Sequence, residues 1–389
     1  MATNKKVVYV GMSGGVDSSV SALILKEQGY RVVGVYMKNW SKDLPGMKCP
    51  WAEDLADAKR VAVKLGIDFE VWDFEKEYYQ KVVEYMLDEF KKGNTPNPDI
   101  MCNQEIKFKL FYEKARQAGA DYIATGHYAR VIDISNPFAT TGANGEASPV
   151  TTGASDEGRE MAVALARAVD ENKDQTYFLY RISDEALRHT IFPIGEMLKP
   201  DVKKLAEKNG LHNAYKKESM GVCFVGEVGM KDFLKEYIEV KPGEIREIET
   251  GKILGYHEGV VFYTIGQRHG LYLDGEKGVE NDGLPYYVVK KDVKENVVYV
   301  SKNLNHEAIW TKELKLKNIF LRQKSLNSVK GNTTKSNVLV RLRHRAPLVK
   351  ATFDGKTLHF ENEIKRPAAG QSAVLYDGEV CLGGGIITE

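Results

Sequence analysis

Gly11-Met12-Ser13-Gly14-Gly15-Val16-Asp17-Ser18 combines three glycines, two hydroxyls and one acid. Glycines let a backbone approach an anion closely, and free N–H groups at a helix start point towards it. Asp17 repels phosphate unless a magnesium ion lies between them, so the mixture favours a magnesium–nucleotide site over a bare phosphate cradle. A Gly-rich turn without a ligand is the plain alternative. The loop is not a Walker A sequence, because no Lys-Ser or Lys-Thr follows its glycines. Gly355-Lys356-Thr357 has Lys350 where a leading glycine should stand, and no G-x-G-x-x-G occurs in the loop. Further along, Asp99 stands three residues before Cys102. On a helical turn the two side chains share a face, which sets an acid beside a thiol. In isolation that pair reads as a surface acid next to a buried thiol. Cys223, with Gly221 before it and Gly226 after it, alone reads as a buried strand thiol.

The elements that must position these residues are legible in the apolar pattern. Val7 to Val10 is a β-branched and aromatic run, and Val16, Val20, Leu23 and Ile24 recur at helical spacing up to Gly29. Arg31 to Tyr36 predicts a strand, Ala52 to Leu65 a helix, Asp68 to Trp72 a strand and Tyr122 to Thr125 another. Such alternation implies a parallel sheet with helices on both faces, and ligands bind at the carboxyl ends of its strands. Residues 135–158, rich in Gly, Ala, Thr and Ser, predict an inserted surface loop or hairpin. Helical character returns between about Ser183 and Asn209. Beyond Gly251 short strands are expected at Val260 to Thr264, Tyr286 to Lys290, Val297 to Ser301, Val338 to Arg343 and Val374 to Tyr376, a pattern for a small barrel or sandwich.

Composition excludes several classes. The chain has 389 residues with 55 basic and 54 acidic side chains, and its 43% hydrophobic content is that of a globular protein. No apolar run approaches the roughly 18 residues of a membrane helix, and with the first strand starting at Val7 no leader is expected. Four cysteines without a CxxC pair support neither a disulfide scaffold nor a compact metal finger. These features predict a cytoplasmic enzyme of a reducing compartment. The net charge of +1 hides a division. Residues 301 to 389 carry 15 basic against 8 acidic side chains, including Lys312, Lys315, Lys317, Arg341, Arg343 and Arg345, and the rest carry 40 against 46. A basic C-terminal part is expected to attract a phosphate backbone.

Ser-Gly-Gly-Val-Asp-Ser resembles the signature of the PP-loop ATP pyrophosphatases, which split ATP between the α and β phosphates. Together with Cys102 and Cys223 the chain resembles the tRNA-specific 2-thiouridylases over most of its length. The likeness rests also on Thr95-Pro96-Asn97-Pro98-Asp99, Glu105-Ile106-Lys107-Phe108, Ala124-Thr125-Gly126-His127-Tyr128-Ala129-Arg130, Lys173-Asp174-Gln175-Thr176-Tyr177-Phe178-Leu179 and Tyr263-Thr264-Ile265-Gly266-Gln267-Arg268, in that family's order. The resemblance implies an α/β fold. A parallel-sheet, adenine nucleotide alpha hydrolase-like domain would span residues 1–222, a small central domain 223–300 and a C-terminal β-barrel 301–389.

It also implies a chemistry. ATP would sit on Gly11 to Ser18, with the Met37 and Gly126 backbones framing the adenine. The wobble uridine of a tRNA, in the Lys, Glu and Gln isoacceptors, would leave its stack and enter near Asn97, Pro98 and Asp99. His127, Lys173, Asp174, Gln175, Arg343, His344 and Gln371 would add tRNA contacts. Adenylation would turn the uracil C2 oxygen into a leaving group. Cys223 would carry a persulfide sulfur from a donor protein or a cysteine desulfurase relay, and Cys102 would resolve the sulfur link, leaving a transient Cys102–Cys223 disulfide. In an alternative order Cys102 first frees hydrogen sulfide. Asp99 would act as general acid/base, since a carboxylate raises a neighbouring thiol's pKa. The expected cofactors are ATP and Mg2+ with no stable metal. Cys49 as the third ligand of an iron–sulfur cluster is an alternative, and Cys49 and Cys381 otherwise read as packed thiols. The chain departs from the family pattern at Glu218, at Arg343-His344-Arg345, at Ala369-Gly370-Gln371 and in the length of 135–158. An amide-forming PP-loop ligase, which needs no cysteine pair, and a tRNA-binding protein without catalysis are the competing readings.

Overall fold

The computed structural model describes residues 5–43, 49–134, 162–217, 229–271, 273, 284–322 and 335–388. They fall into two compact units. One gathers Met1–Val82, Asp99–Glu227 and Tyr376–Gly383; the other gathers Val83–Pro98, Val228–Leu375 and Gly384–Glu389.

In the first unit the strands are β1 (Val7–Gly11), β2 (Arg31–Lys38), β3 (Asp68–Asp73), β4 (Tyr122–Thr125), β5 (Arg130–Asp133), β6 (Val163–Ala166) and β7 (Thr190–Ile191). Five of them form a parallel sheet in the order β3-β2-β1-β4-β7. Helix α1 (Val16–Glu27) buries Val16, Val20 and Leu23 against it, and α2 (Trp51–Leu65) buries Ala58, Val61 and Leu65. Gly66 ends α2 in the left-handed region (φ 57°), the conformation that costs glycine least. The chain leaves β1 towards β2 on one side, and β4 lies on the other. That reversal opens a crevice at the carboxyl ends of β1 and β4, where open α/β sheets hold their ligands. Gly11 closes β1 and Gly126 follows β4, so two expected nucleotide residues flank the crevice. β5 and β6 pair antiparallel, and Val380 pairs with Ala166. The expected insertion at 135–158, which connects β5 to β6, lies outside the described residues.

In the second unit β8 (Gly243–Glu247), β9 (Ile253–His257), β10 (Tyr287–Asp292) and β11 (Val297–Ser301) form a four-stranded sheet over a core that includes Ile245, Leu254, Val288 and Val298. The strand expected at Val260 to Thr264 is a correction. Val260–Phe262 is a single 3-10 turn, with Phe262 N–H on the Gly259 carbonyl and Tyr263 N–H on that of Val260. The apolar run is buried as a plug rather than as one face of a sheet, and a short apolar run alone does not tell these apart. β12 (Trp310–Leu321), β13 (Ser336–Arg341), β14 (Val349–Phe353), β15 (Thr357–Lys365), β16 (Ser372–Asp377) and β17 (Val380–Ile387), of which Tyr376–Gly383 counts with the first unit, run β12-β15-β14-β13-β16-β17, and a β12–β17 pairing closes the ring. The architecture is thus the expected one: a parallel α/β nucleotide domain, a small central domain and a closed C-terminal barrel. Among the described residues no helix is long and apolar enough to cross a membrane.

Candidate active site

Gly11 ends the central strand and Val16 begins α1, so the intervening loop is aimed along a helix axis. Gly15 is the N-cap and brings no side-chain cap, which leaves the first N–H groups of α1 to a ligand. The hydroxyls fold the loop on itself: Ser18 Oγ donates to the Gly15 carbonyl at 3.1 Å and accepts from Ser13 N–H at 3.2 Å. Gly14 has φ 78°, and a Cβ there would lie 2.4 Å from the Asp54 carbonyl oxygen. Asn213 Nδ2 lies 2.9 Å from the Gly14 carbonyl oxygen and 2.9 Å from Ser19 Oγ, within reach of both. Three residues on, Lys216 Nζ bridges Asp54 and Asp57 at 2.7 and 2.6 Å. The loop is thus held from several sides, and its residues fit a nucleotide polyphosphate.

Asp17 does not depend on magnesium for a counter-charge. Its carboxylate meets Lys199 Nζ at 2.6 and 2.8 Å and accepts from the Tyr128 hydroxyl at 3.1 Å. Sequence reasoning missed Lys199, Tyr128 and Asn213. All three lie more than a hundred positions from the loop, and the only signal was the position of Tyr128 directly after Gly126-His127. Gly126 itself touches the loop: a Cβ there would stand 2.5 Å from Ser18 N. Met12 is buried, and the Met37 side chain reaches back over Gly11, whose own Cβ would meet the Met37 methyl at 2.9 Å.

Asp99 lies in the turn Pro98–Met101, and Cys102 opens a π-helical segment, Cys102–Leu110, in which Phe111 N–H reaches the Ile106 carbonyl. Such wide turns are rare and recur at functional sites; no feature of the sequence announced this one. Cys102 is 3% exposed. Burial pushes the Asp99 carboxyl above its ordinary range, and the Lys107 ammonium only partly opposes this. The segment is tied to the rest of the first unit by Phe108, whose ring packs on His127 and Phe192, and by Asn103 Nδ2, which donates to the Phe178 carbonyl. Asn97 and Pro98 end the second unit's first segment, half-buried and buried.

His127 receives or donates a 2.8 Å hydrogen bond at Thr125 Oγ1 and sits between two phenyl rings. Burial, and then the Lys107 charge, hold its pKa well below the ordinary value, so any contact it makes with RNA is that of a neutral imidazole. Asp174 turns inward at 1% exposure, accepting from Ala168 N–H and the Thr176 hydroxyl, so its carboxylate shapes the loop instead of facing a ligand. Gln175 Oε1 accepts from Tyr128 N–H at 2.9 Å, and Lys173 is half-buried.

In the second unit Gln371 Nε2 donates to the Thr95 carbonyl at 2.7 Å, and Thr95 N–H donates to the Ala369 carbonyl at 2.7 Å. The departure Ala369-Gly370-Gln371 therefore clamps the segment that leads into Asn97. β13 stops at Arg341, short of the expected Arg343, because Ala346 N–H turns back onto the Arg343 carbonyl and Arg345 takes φ 63°. Arg343 and Arg345 are exposed in that turn and His344 is half-buried. One member of the expected basic surface drops out and another is paired on the surface. Arg341 is 5% exposed, and Lys317 faces Glu89 at 3.6 Å.

Cys223 and Glu218 lie outside the described residues, so the Cys102–Cys223 pair is known from sequence alone. Cys49 is buried, with its thiol directed at the Trp40 carbonyl at 3.8 Å and its pKa raised by burial; Cys381 is fully buried.

Three family models match the chain in succession: a tRNA methyl transferase HUP domain over residues 6–227, a tRNA methyl transferase PRC-barrel domain over 231–302 and an aminomethyltransferase beta-barrel domain over 316–387. Among curated proteins, the tRNA-specific 2-thiouridylase MnmA of Listeria monocytogenes is 45% identical over all of this chain and 96% of its own. The protein of that name from Listeria innocua is 44% identical over 100% of this chain and 96% of its own. The tRNA-specific 2-thiouridylase MnmA 1 of Geobacillus kaustophilus is 45% identical over 99% and 96%. Likeness of this extent, end to end and through all three domains, makes the chain a member of the tRNA-specific 2-thiouridylase family.

Proposed function

We propose that the chain is an ATP-dependent tRNA-uridine 2-sulfurtransferase acting on the wobble uridine, in the Lys, Glu and Gln isoacceptors, in the cytoplasm. The observation that carries this is the uncapped start of α1 at the sheet's crevice, within the same unit as a turn that sets a half-buried acid three residues before a buried thiol. Methyl transfer, which the family models' descriptions mention, has no use for a polyphosphate cradle.

ATP would sit at the loop Gly11 to Ser18, its phosphates at the N–H groups that start α1, magnesium accompanying it, and its adenine against Met37 and Gly126. The uracil C2 oxygen attacks the α phosphorus and pyrophosphate leaves. The terminal sulfur of a Cys223 persulfide then attacks C2, and AMP departs with the former C2 oxygen. Cys102 thiolate attacks the Cys223 sulfur of the remaining S–S link. This frees 2-thiouridine and leaves a Cys102–Cys223 disulfide for an external thiol to reduce. Asp99, whose carboxyl burial pushes above its ordinary range, is the group that exchanges a proton with the reacting uracil or thiol.

The test mixes protein, ATP, magnesium, a persulfide donor and tRNA, and analyses digested nucleosides by mass. 2-Thiouridine together with AMP is the expected product. A tRNA with a wobble uridine that stays unmodified although ATP is bound overturns the proposal.

A further inference from the structure

We propose that Lys199 is a positioning residue of the nucleotide site: its ammonium neutralises Asp17 so that the loop accepts a polyphosphate without repulsion. The inference rests on the ATP reading above. Lys199 is the first residue of the helix Lys199–Lys208 and is held at both ends. Its backbone N–H donates to Asp170 Oδ2 at 2.9 Å, and its Nζ meets both carboxylate oxygens of Asp17 at 2.6 and 2.8 Å. The Tyr128 ring lies beside the ammonium at 5.7 Å, and the Tyr128 hydroxyl donates to the same carboxylate. The Lys199 side chain is 8% exposed and that of Asp17 is 28% exposed, so a ligand can reach the acid but the base stays behind it.

The physical need is plain. Asp17 stands in the first turn of α1, where the helix dipole favours negative charge. A phosphate bound at the same helix start competes for that field and is repelled by a bare carboxylate. An ammonium fixed behind the acid cancels the repulsion while the carboxylate keeps α1 anchored to the helix Lys199–Lys208. Lys199 touches no reacting atom in this scheme. It acts through Asp17.

The experiment measures binding of Mg-ATP, pyrophosphate and adenosine by calorimetry to the full chain and to Lys199→Met, Asp17→Asn and the double variant, with thermal melts of each. Lys199→Met is expected to weaken ATP and pyrophosphate by about 30-fold, the size of one uncompensated charge some 8 Å away at an effective dielectric near 20, and adenosine by less than about 3-fold. The double variant is expected to recover most of the lost ATP affinity. A purely structural role would weaken all three ligands alike and would not be rescued. Either result, or unchanged ATP affinity in Lys199→Met, overturns the proposal. If Lys199→Met does not fold, Asp17→Asn decides. Retained or tighter pyrophosphate binding supports the inference, and a loss beyond about 10-fold refutes it. Absence of ATP binding to the unmodified chain is a separate outcome, which refutes the ATP reading and this inference with it.

Discussion

Gly126→Ala inserts one methyl group where two backbones meet. The added Cβ would stand 2.5 Å from Ser18 N, 2.7 Å from the Asp17 carbonyl carbon and 2.9 Å from Ser18 Cα, all main-chain atoms with no rotamer to yield. Ordinary contact begins near 3.4 Å, so the turn after β4 and the start of α1 must separate by roughly 0.9 Å. Overpacking of this kind costs about 1–3 kcal/mol. Its relief draws the first N–H groups of α1 away from the phosphate position. At about 1.4 kcal/mol per decade, the expected loss of ATP affinity is roughly 5- to 150-fold. Calorimetric titration with Mg-ATP measures it, and a thermal melt of the free protein reports any strain that stays unrelieved. Gly11→Ala is the contrast. Its Cβ meets the flexible Met37 methyl at 2.9 Å, with the other neighbours at 3.7 Å or more, so Met37 can swing aside and the loss is expected to be smaller. If Gly126→Ala bound ATP as tightly as the unsubstituted protein and melted at the same temperature, the close approach would not exist.

Asp99→Asn should abolish thiolation while ATP binding persists, as nucleoside analysis and calorimetry would register. It should also change stability with pH. A carboxyl whose folded pKa is raised by burial destabilises the fold increasingly as pH climbs from 3.8 through the folded value, so the variant should gain melting temperature at pH 8 relative to pH 4. An equal difference at both pH values would contradict the burial. His127→Gln should lessen the loss of stability between pH 6.5 and 5, where the unfolded imidazole takes up a proton that the folded one resists; melts across that range check it. Cys223→Ser should eliminate 2-thiouridine and leave ATP binding unchanged, and normal thiolation would sink the persulfide assignment. Neutralising Arg343 and Arg345 together should lower the slope of log affinity for tRNA against log salt by about 1.4–1.8, with an unchanged slope excluding both from phosphate contact.

The parts of the site readable from sequence are those built from neighbours along the chain. Val7 to Val10 and Val16 to Ile24 reported a strand and a helix by period, and the glycines between them reported the anion loop. Ser18 bonding to the Gly15 carbonyl is local in the same sense. The Lys199 ammonium, by contrast, reaches Asp17 across 182 positions, and Asn213 reaches Gly14 across 199, with no pattern to mark either partner. The strand expected at Val260 to Thr264 failed for a related reason. Burial was readable there, but the curl that achieves it depends on the core the turn plugs. Arg341 and Lys317 counted as surface charge in composition, yet one points inward and the other has an acid beside it. Charge sums carry no orientation.

The first unit is not finished until the ribosome has passed residue 383. Tyr376–Gly383 belongs to it: Val380 pairs with Ala166, Glu379 accepts Arg167 N–H through its carbonyl, and the Tyr376 and Thr176 hydroxyls lie 3.0 Å apart in the buried interior. Contacts closed over some 200 residues make for slow assembly. A fragment ending near residue 222 would expose the β6 edge that Val380 covers, an unpaired strand of the kind that recruits other chains. A nonsense truncation just before Val380 should consequently yield aggregation of the nascent chain, and not merely the loss of a separable barrel.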